Sequence, residues 1–387
     1  MIKLRTLFSG IGSPEIALRE LGIDYEVMDF CEIDKYAAKS YSAVHGVDES
    51  KNLGDVTKVW GRNLPYADLM VWGFPCQDIS VAGKQRGIQE GATRSGLYYE
   101  GFRILKETMP KYSIIENVKN LVGKKFKENF NSMLEDIESI GYNNYWKVLN
   151  AKDYGIPQNR ERVFIISIRK DVDNGKFTFP EGFDNGLRLK DLLEDEVDEK
   201  YYISQEKTEK LISQIKDKEI SNSIRCGGHG SIDRHQWDMV CVQLGSFDKE
   251  DINDNERQRR VYSDEGVSPT ILARTDNEKI LTVERTPLKF LDRNGKKTDG
   301  NYAFCVDTAQ TGGIKEHLDN GSHRIRKLTP KECWRLMGFK DTDFEKAAQV
   351  NSNSQLYKQA GNSIVSDVLY HIFDSLLNVA MNKEVRK

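Results

Sequence analysis

A lone cysteine, Cys76, lies in Gly73-Phe74-Pro75-Cys76-Gln77, directly after the apolar run Leu69 to Trp72. A cysteine at the end of a buried strand, in a turn broken by proline, stands at the ligand edge of an open sheet. Its thiolate would be a strong nucleophile, whereas most lone cysteines serve only as small hydrophobes. Glu116 emerges from another apolar run, Ile114-Ile115-Glu116-Asn117-Val118. Desolvation there raises a carboxyl pKa, so the group can donate a proton as well as accept one. The same string also reads as an acid near a helix cap at Asn117, and alone it leaves both readings open. Gln158-Asn159-Arg160-Glu161-Arg162 precedes the apolar run Val163 to Ile168. Alternate residues of an extended segment share a face, so Arg160 and Arg162 act together and Glu161 points away. Arg is the residue for fixed, planar hydrogen bonding to a base carbonyl, a carboxylate or a phosphate.

A second group of residues has the chemistry of a cofactor site. Phe8-Ser9-Gly10-Ile11-Gly12 follows a first strand, Ile2 to Phe8. Its glycines let the backbone approach a ligand, but the third glycine of a dinucleotide fingerprint is missing, which disfavours NAD. A second strand, Tyr25 to Cys31, ends in Cys31-Glu32-Ile33-Asp34. An acid at that point is where a ribose hydroxyl pair is held. Together the two features imply an adenosine-containing cofactor without a pyrophosphate. Behind Cys76 runs a glycine-rich basic stretch. From Lys84 to Lys127 there are ten Lys or Arg against four Asp or Glu, in a chain whose formal net charge is −3. Such a segment beside a cysteine fits a flap closing over a polyanion.

These residues need a scaffold. In 387 residues, 38% are hydrophobic and 30% charged, enough for two domains with a sizeable core. The global charge neither signals nor excludes nucleic acid, since binding depends on local patches. No apolar run is long enough to span a membrane, and the first residues read as a strand rather than a signal region. Six cysteines without a CxxC pair argue against zinc and disulfides and fit a reducing cytosol. The first part alternates strands and helices, with helices at Glu15 to Leu21, Ile33 to Val44 and Phe126 to Ile140, and strands at Leu69 to Trp72, Tyr112 to Ile115, Asn144 to Asn150 and Val163 to Ile168. That alternation predicts an α/β fold, an open and mostly parallel sheet with helices on both faces.

After about Asp171 the character changes. Asp191 to Glu199 carries six carboxylates in nine residues, read as a solvated helix face or linker. The chain then turns rich in Gly, Asn, Asp and Ser up to about Ser322, with short strand-like pieces at Met239 to Leu244, Thr270 to Ala273 and Ala303 to Val306. This predicts a separate, smaller, loop-rich domain. Helix returns at Leu328 to Gly338, where Thr329, Pro330 and Glu332 form a capping-box pattern, and Ile364 to Met381 reads as a long final helix. Cys333 reads as structural, His371 as packed or on the surface, and His229 and His235 lack the partners of a metal site.

In order, the chain holds Phe-x-Gly-x-Gly at Phe8 to Gly12, Pro75-Cys76-Gln77, Glu116-Asn117-Val118, Gln158-x-Arg160-x-Arg162, Arg326 to Cys333 (RKLTPKEC), and Gln359-Ala-Gly-Asn362-Ser363. This set resembles the DNA (cytosine-5)-methyltransferase family, of bacterial or phage type. The resemblance covers about residues 1 to 170 and 324 to 375. It implies a Rossmann-like domain dependent on S-adenosyl-L-methionine, spanning 1–190 and completed by 350–387, with a target recognition domain and hinge over 191–349. It further implies that Cys76 is the nucleophile, that Glu116 protonates or hydrogen-bonds the cytosine ring, and that Arg160 and Arg162 hold the base oxygen and the active-site acids. Phe8, Gly10, Gly12, Glu32, Ile33, Asp55, Val56, Pro75, Asn362 and Ser363 become the cofactor contacts. Ser13 stands where the family often has a third glycine. The flap would be Val81 to Leu97, and the substrate a cytosine turned out of double-stranded DNA. Arg257, Arg259, Arg260, Arg274 and Arg324 are candidate DNA contacts as a class, each weighed against a solvated surface arginine, and Ser268 to Ile271 and Thr311 to Ile314 are candidate recognition turns. No metal is expected. The expected setting is a cytoplasmic monomer in a bacterial or phage-infected cell, with or without a cognate restriction endonuclease. Two alternatives remain at this level. One is an RNA cytosine-5 methyltransferase, against which the 163 residues between Arg162 and Arg326 speak. The other is a silent DNA- and cofactor-binding protein, against which the complete set Cys76, Glu116, Arg160 and Arg162 speaks.

Overall fold

A computed structural model describes residues 1–76, 78–79, 88–91, 93–202, 204–206 and 328–381, together with short strands between 243 and 327. Six strands form the main sheet: β1 (Ile2–Leu7), β2 (Tyr25–Cys31), β3 (Leu69–Trp72), β4 (Tyr112–Val118), β5 (Tyr142–Asn150) and, beyond the short β6 (Gln158–Asn159), β7 (Glu161–Arg169). Their order is β2-β1-β3-β4-β7-β5. The first four are mutually parallel, whereas β7 runs antiparallel to both β4 and β5. The mostly parallel sheet is thus as expected, with one reversed strand. Its cause is the connection after β5. Residues 151–160 hold only a 3-10 turn and β6, without the crossover helix that a parallel return needs.

Strand alternation sends neighbouring residues to opposite faces. Leu69 and Val71 of β3 join Leu4, Ile114 and Ile166 in one core, packed by α1 (Ser13–Glu20) and the last helix. Met70 and Trp72 join Leu7, Ile115 and Ile165 in the other. That face is covered by α3 (Tyr98–Thr108) and α4 (Lys127–Ser139), with α2 (Lys35–His45) following β2. A Cβ on Gly101 would fall 2.3 Å from the Trp72 ring, so only glycine lets α3 lie this close to β3.

Element ends differ from the sequence reading by a few residues, for local reasons. Asp34 caps α2 by accepting from the Tyr36 N–H, which moves its start from Ile33 to Lys35. The returning segment forms α5 (Pro330–Arg335), α6 (Asp341–Ala348), α7 (Asn353–Asn362) and α8 (Ser366–Met381). The expected capping box is present: Thr329 Oγ1 accepts from the Glu332 N–H, and the Glu332 carboxylate from the Thr329 N–H. Leu328, Cys333, Trp334, Met337 and Phe339 share one core with Leu4 and Ile11.

Of that region, β8 (Gln243–Ser246), β9 (Arg260–Ser263), β11 (Lys279–Val283) and β14 (His323–Lys327) form a sheet in the order β14-β11-β9-β8. β12 (Lys289–Leu291) pairs with β13 (Lys297–Asp299), and β10 (Ser268–Pro269) pairs in parallel with β6. The expected strand at Met239 to Leu244 reaches the described residues only at Gln243 and Leu244, while Thr270 to Ala273 and Ala303 to Val306 lie outside them. Tyr202 and Arg326 form an isolated antiparallel bridge where the chain enters and leaves this region.

Candidate active site and cofactor cleft

The C-terminal ends of β1, β3 and β4 open onto a small cleft. The turn after β1 is left-handed at Phe8, Gly10 and Gly12, with φ of 56°, 57° and 82°. The Glu32 carboxylate straps this turn to the end of β2, since Oε2 accepts from Gly10 N at 2.8 Å and Oε1 from Asp34 N at 2.8 Å. Burial raises the Glu32 pKa despite those two donors. Ile33 beside it is 74% exposed, an open apolar platform.

Of the residues expected to hold a cofactor, Phe8, Gly10, Asn362 and Ser363 line the cleft. Gly12, Glu32, Ile33, Asp55, Val56 and Pro75 are not in its lining. Asp55 caps a 3-10 turn by accepting from Thr57, Val56 is buried, and the Pro75 carbonyl accepts from Ser95 Oγ at 2.7 Å. The Ser363 hydroxyl is buried and without a hydrogen-bond partner. A buried hydroxyl with nothing to bond costs free energy, so its place in the wall of the cleft fits a polar ligand there.

Cys76 follows β3, half-buried, in a loop tied to β4 by Asn117 Nδ2, which donates to the Phe74 carbonyl at 3.0 Å. Glu116 lies within β4, which settles the open choice: it is a strand residue, and no helix begins at Asn117. A Cβ on Gly73 would lie 3.1 Å from the Glu116 carbonyl and 3.4 Å from its Oε2, so the glycine keeps the end of β3 close beside the acid. Arg162 Nε stands 3.0 Å from Glu116 Oε1. Arg160, two residues back, is buried and donates from Nη2 to the carbonyls of Gly361 and Ser363 at 3.0 and 2.8 Å. Glu161 pairs with Lys119, and the two guanidiniums have different partners, Arg160 the carbonyls at 361 and 363 and Arg162 the Glu116 carboxylate.

The electrostatics couple these groups. Burial pushes the Cys76 thiol up and the negative Glu116 pushes it further, while Arg162 and Arg160 pull it down. Glu116 is raised by burial against the pull of the same arginines. Burial and the adjoining Arg162 disfavour the charge on Arg160, yet a guanidinium is basic enough to stay cationic. A proton on Glu116 removes one charge that opposes a thiolate at Cys76. The site can therefore hold a nucleophilic sulfur and a proton donor together.

Asn117, Ser95 and Asp78 escaped the sequence reading as site supports. Ser95 Oγ accepts from Asp78 N at 3.3 Å, and Asp78 Oδ2 accepts from Arg94 N at 2.9 Å, joining the two ends of the loop that follows Cys76. Their hydroxyl and carboxylate looked like ordinary loop chemistry. Gln77, residues 80–87, Arg257, Arg259, Arg274, His229, His235 and Thr311 to Ile314 lie outside the described residues, as do Thr270 and Ile271. Arg260 falls on β9 and Arg324 on β14. Cys333 is buried, and His371 packs against Tyr154, Phe183 and Tyr370. Among the described residues no cluster of His, Cys, Asp or Glu could hold a metal, and no helix is long and apolar enough to cross a membrane.

The family profile described as C-5 cytosine-specific DNA methylase matches residues 2–378. The chain belongs to the C-5 cytosine-specific DNA methylases. The orphan methyltransferase M.SPRI of Bacillus phage SPR is 37% identical to this methylase, with 99% of each chain covered. The type II methyltransferase M.HhaI of Haemophilus parahaemolyticus is 32% identical, over 95% of this chain and 91% of the relative. The Entamoeba histolytica methyltransferase EhMeth shares the fold, with a TM-score of 0.63 at 17% identity over 98% of both chains. The methylase is thus an enzyme that methylates carbon 5 of cytosine in DNA, and its family and fold imply S-adenosylmethionine as the methyl donor.

Proposed function

We propose that this methylase modifies a cytosine turned out of duplex DNA within one short sequence, through a covalent bond from Cys76. The observation that carries the reading is the Glu116–Arg162 pair standing at the strand ends beside Cys76 and the cleft. Cytosine carbon 5 is a poor nucleophile. When the Cys76 thiolate forms a bond to carbon 6, the ring electrons move toward N3 and O2. Glu116 gives N3 its proton, and the arginines stabilise the charge that develops on the base. Carbon 5 then carries the nucleophilic electron pair. S-Adenosylmethionine, when bound, supplies the methyl group as an electrophile on sulfur. Loss of the proton on carbon 5 expels the Cys76 thiolate and restores the ring.

Ser363, Asn362, Phe8 and Gly10 would contact the methyl donor directly. Glu32 would hold its ribose hydroxyls on the lone pairs left after the two backbone bonds, Ile33 would cover the adenine, and Gly12, Asp55, Val56 and Pro75 complete the site. Residues 81–97 would close over the DNA, and the region between Tyr202 and Arg326 would read its sequence. The core around Trp334 supports counting residues 328–349 with the catalytic domain. We assign the enzyme to restriction-modification or phage self-protection, acting as a monomer in the cytoplasm. The test is base-resolution sequencing of 5-methylcytosine in DNA from a methylation-free host that expresses the chain, beside a Cys76→Ser control. Methylation at one short motif, absent from the control, is expected. Folded protein that leaves every DNA cytosine unmodified would overturn the reading and turn attention to RNA.

A further inference from the structure

The two proposed catalytic arginines sit at a break in a strand, and something must hold that break. β6 stops at Asn159 and β7 begins at Glu161, so Arg160 is the joint. One side chain stitches it. Asn150 Oδ1 accepts from the Arg160 backbone N–H at 2.9 Å, and Asn150 Nδ2 donates to Asn159 Oδ1 at 2.7 Å. The Arg160 carbonyl accepts from Ala151 N at 3.1 Å. Held this way, the joint turns the Arg160 side chain into the protein, to the carbonyls at 361 and 363, and leaves Arg162 beside Glu116.

On β6 a second contact arrives from the recognition region. β10 pairs with it in parallel, Ser268 against Gln158 and Pro269 against Asn159. Ser268 N donates to the Pro157 carbonyl at 2.7 Å, and Ser268 is fully buried. Gln158 Nε2 in turn donates to the Leu336 carbonyl at 2.7 Å. Residues 157–160 are thus bonded to Asn150 of the catalytic sheet and to a strand more than a hundred residues downstream.

We propose that Asn150 is a positioning residue for Arg160 and Arg162, and that the β6–β10 pairing is the contact through which the recognition region is registered on those arginines. The inference rests on the catalytic reading given above. Its physical content is that the seat of β10 and the aim of the guanidiniums form one hydrogen-bonded unit. An error of an ångström in a catalytic group costs up to about a hundredfold in rate while leaving ligand affinity intact.

The full-length enzyme tests this on unmethylated plasmid DNA, by single-turnover methyl transfer beside cofactor and DNA affinity. Asn150→Ala is expected to slow turnover about 10- to 100-fold, with the S-adenosylmethionine dissociation constant within about twofold and a melting temperature lowered by no more than a few degrees. Asn150→Asp keeps the acceptor for the Arg160 N–H and is expected to recover much of the rate. Ser268→Pro removes the donor to Pro157 and is expected to slow turnover similarly. The double variant should lose less than the product of the single losses, because both act on one unit. Should Ser268→Pro not fold, Ser268→Val takes its place, since the fully buried Ser268 leaves no room for a larger side chain and β10 is displaced while its backbone donor is kept. A full rate in Asn150→Ala, a loss that follows cofactor affinity, or independent multiplying losses would overturn the inference. Cys76→Ser run in parallel separates the two readings. If it still methylates DNA, the catalytic assignment fails. If it is dead while Asn150→Ala is fully active, only the positioning role fails.

Discussion

Glu116 and Arg162 meet diagonally across the antiparallel β4–β7 pair. In register Glu116 faces Phe164 and Arg162 faces Val118, yet the guanidinium Nε lies 3.0 Å from the carboxylate Oε1. Diagonal neighbours are within reach of long side chains in such a pair. The reversed direction of β7 is what puts the arginine at the same end of the sheet as the acid.

Because burial raises Glu116, its acid form persists to higher pH than in an exposed glutamate, and Cys76, raised as well, reaches its thiolate late. A reaction that needs both gives a bell-shaped rate profile. Replacing the acid with Glu116→Gln is expected to cut kcat by about 10²- to 10⁴-fold and to abolish the descending limb, leaving a rate that only rises with pH. A fall at high pH that survives in Glu116→Gln would show that another group supplies the proton.

Ser363 offers a separate check on the cleft. Its hydroxyl has no protein partner, so Ser363→Ala removes no intramolecular bond. The variant is expected to melt at or above the parent temperature and to bind S-adenosylmethionine about tenfold more weakly, the worth of one hydrogen bond. Titration calorimetry and a thermal melt measure the two quantities. Lost stability with full affinity would contradict the assignment.

Glu15 makes stability depend on pH. It is fully buried beneath the glycine turn, where Tyr41 donates to Oε1 and Oε2 has no partner. Burial pushes its carboxyl from 4.5 up to about 7. The folded state then binds a proton that the unfolded state releases. This contribution is complete below 4.5 and is lost as pH rises through about 7, up to about 3 kcal/mol in all. His45, pushed from 6.5 down to about 4, acts in the opposite sense as pH falls. Comparing the parent with Glu15→Gln cancels the histidine. Urea unfolding from about pH 5 to about pH 8 should show Glu15→Gln gaining relative stability as pH rises. A constant difference would mean that Glu15 does not titrate in this window.

Gly12 tests the turn itself. Its φ is +82°, and a Cβ there would lie 2.2 Å from His45 Nε2, the atom that bonds the Ile11 carbonyl at 2.9 Å. Gly12→Ala is therefore expected to cost more than about 1 kcal/mol of stability and to weaken cofactor binding. A variant with parent stability and affinity would show that the turn can relax without penalty.

Much of this was legible in local sequence. Pro14 after the glycine turn and the Thr329–Glu332 capping box depend on neighbours a few residues away, and each is found as read. What was not legible depends on distant contacts. Arg160 bonds to carbonyls some 200 residues downstream, which no alternation pattern encodes. Glu15 read as part of an amphipathic helix, because its burial depends on distant partners such as Tyr41 of α2, whose hydroxyl bonds Glu15 Oε1. The reversal of β7 did leave a signal, a connection too short to hold a crossover helix, but the run of parallel units before it concealed that signal.

The cleft proposed to hold the cofactor draws its walls from residues far apart in the chain, with Phe8 and Gly10 facing Asn362 and Ser363, and Ser13 Oγ bonded to the Ile364 carbonyl at 2.7 Å. Chains leave the ribosome from the N-terminus, so the first wall is made long before the second. A nascent chain that has not yet released residues 361–364 has half a cleft and lacks the carbonyls that Arg160 grips. On the proposed assignment, the wall for the methyl donor is complete only once residues 361–364 have joined the first strands.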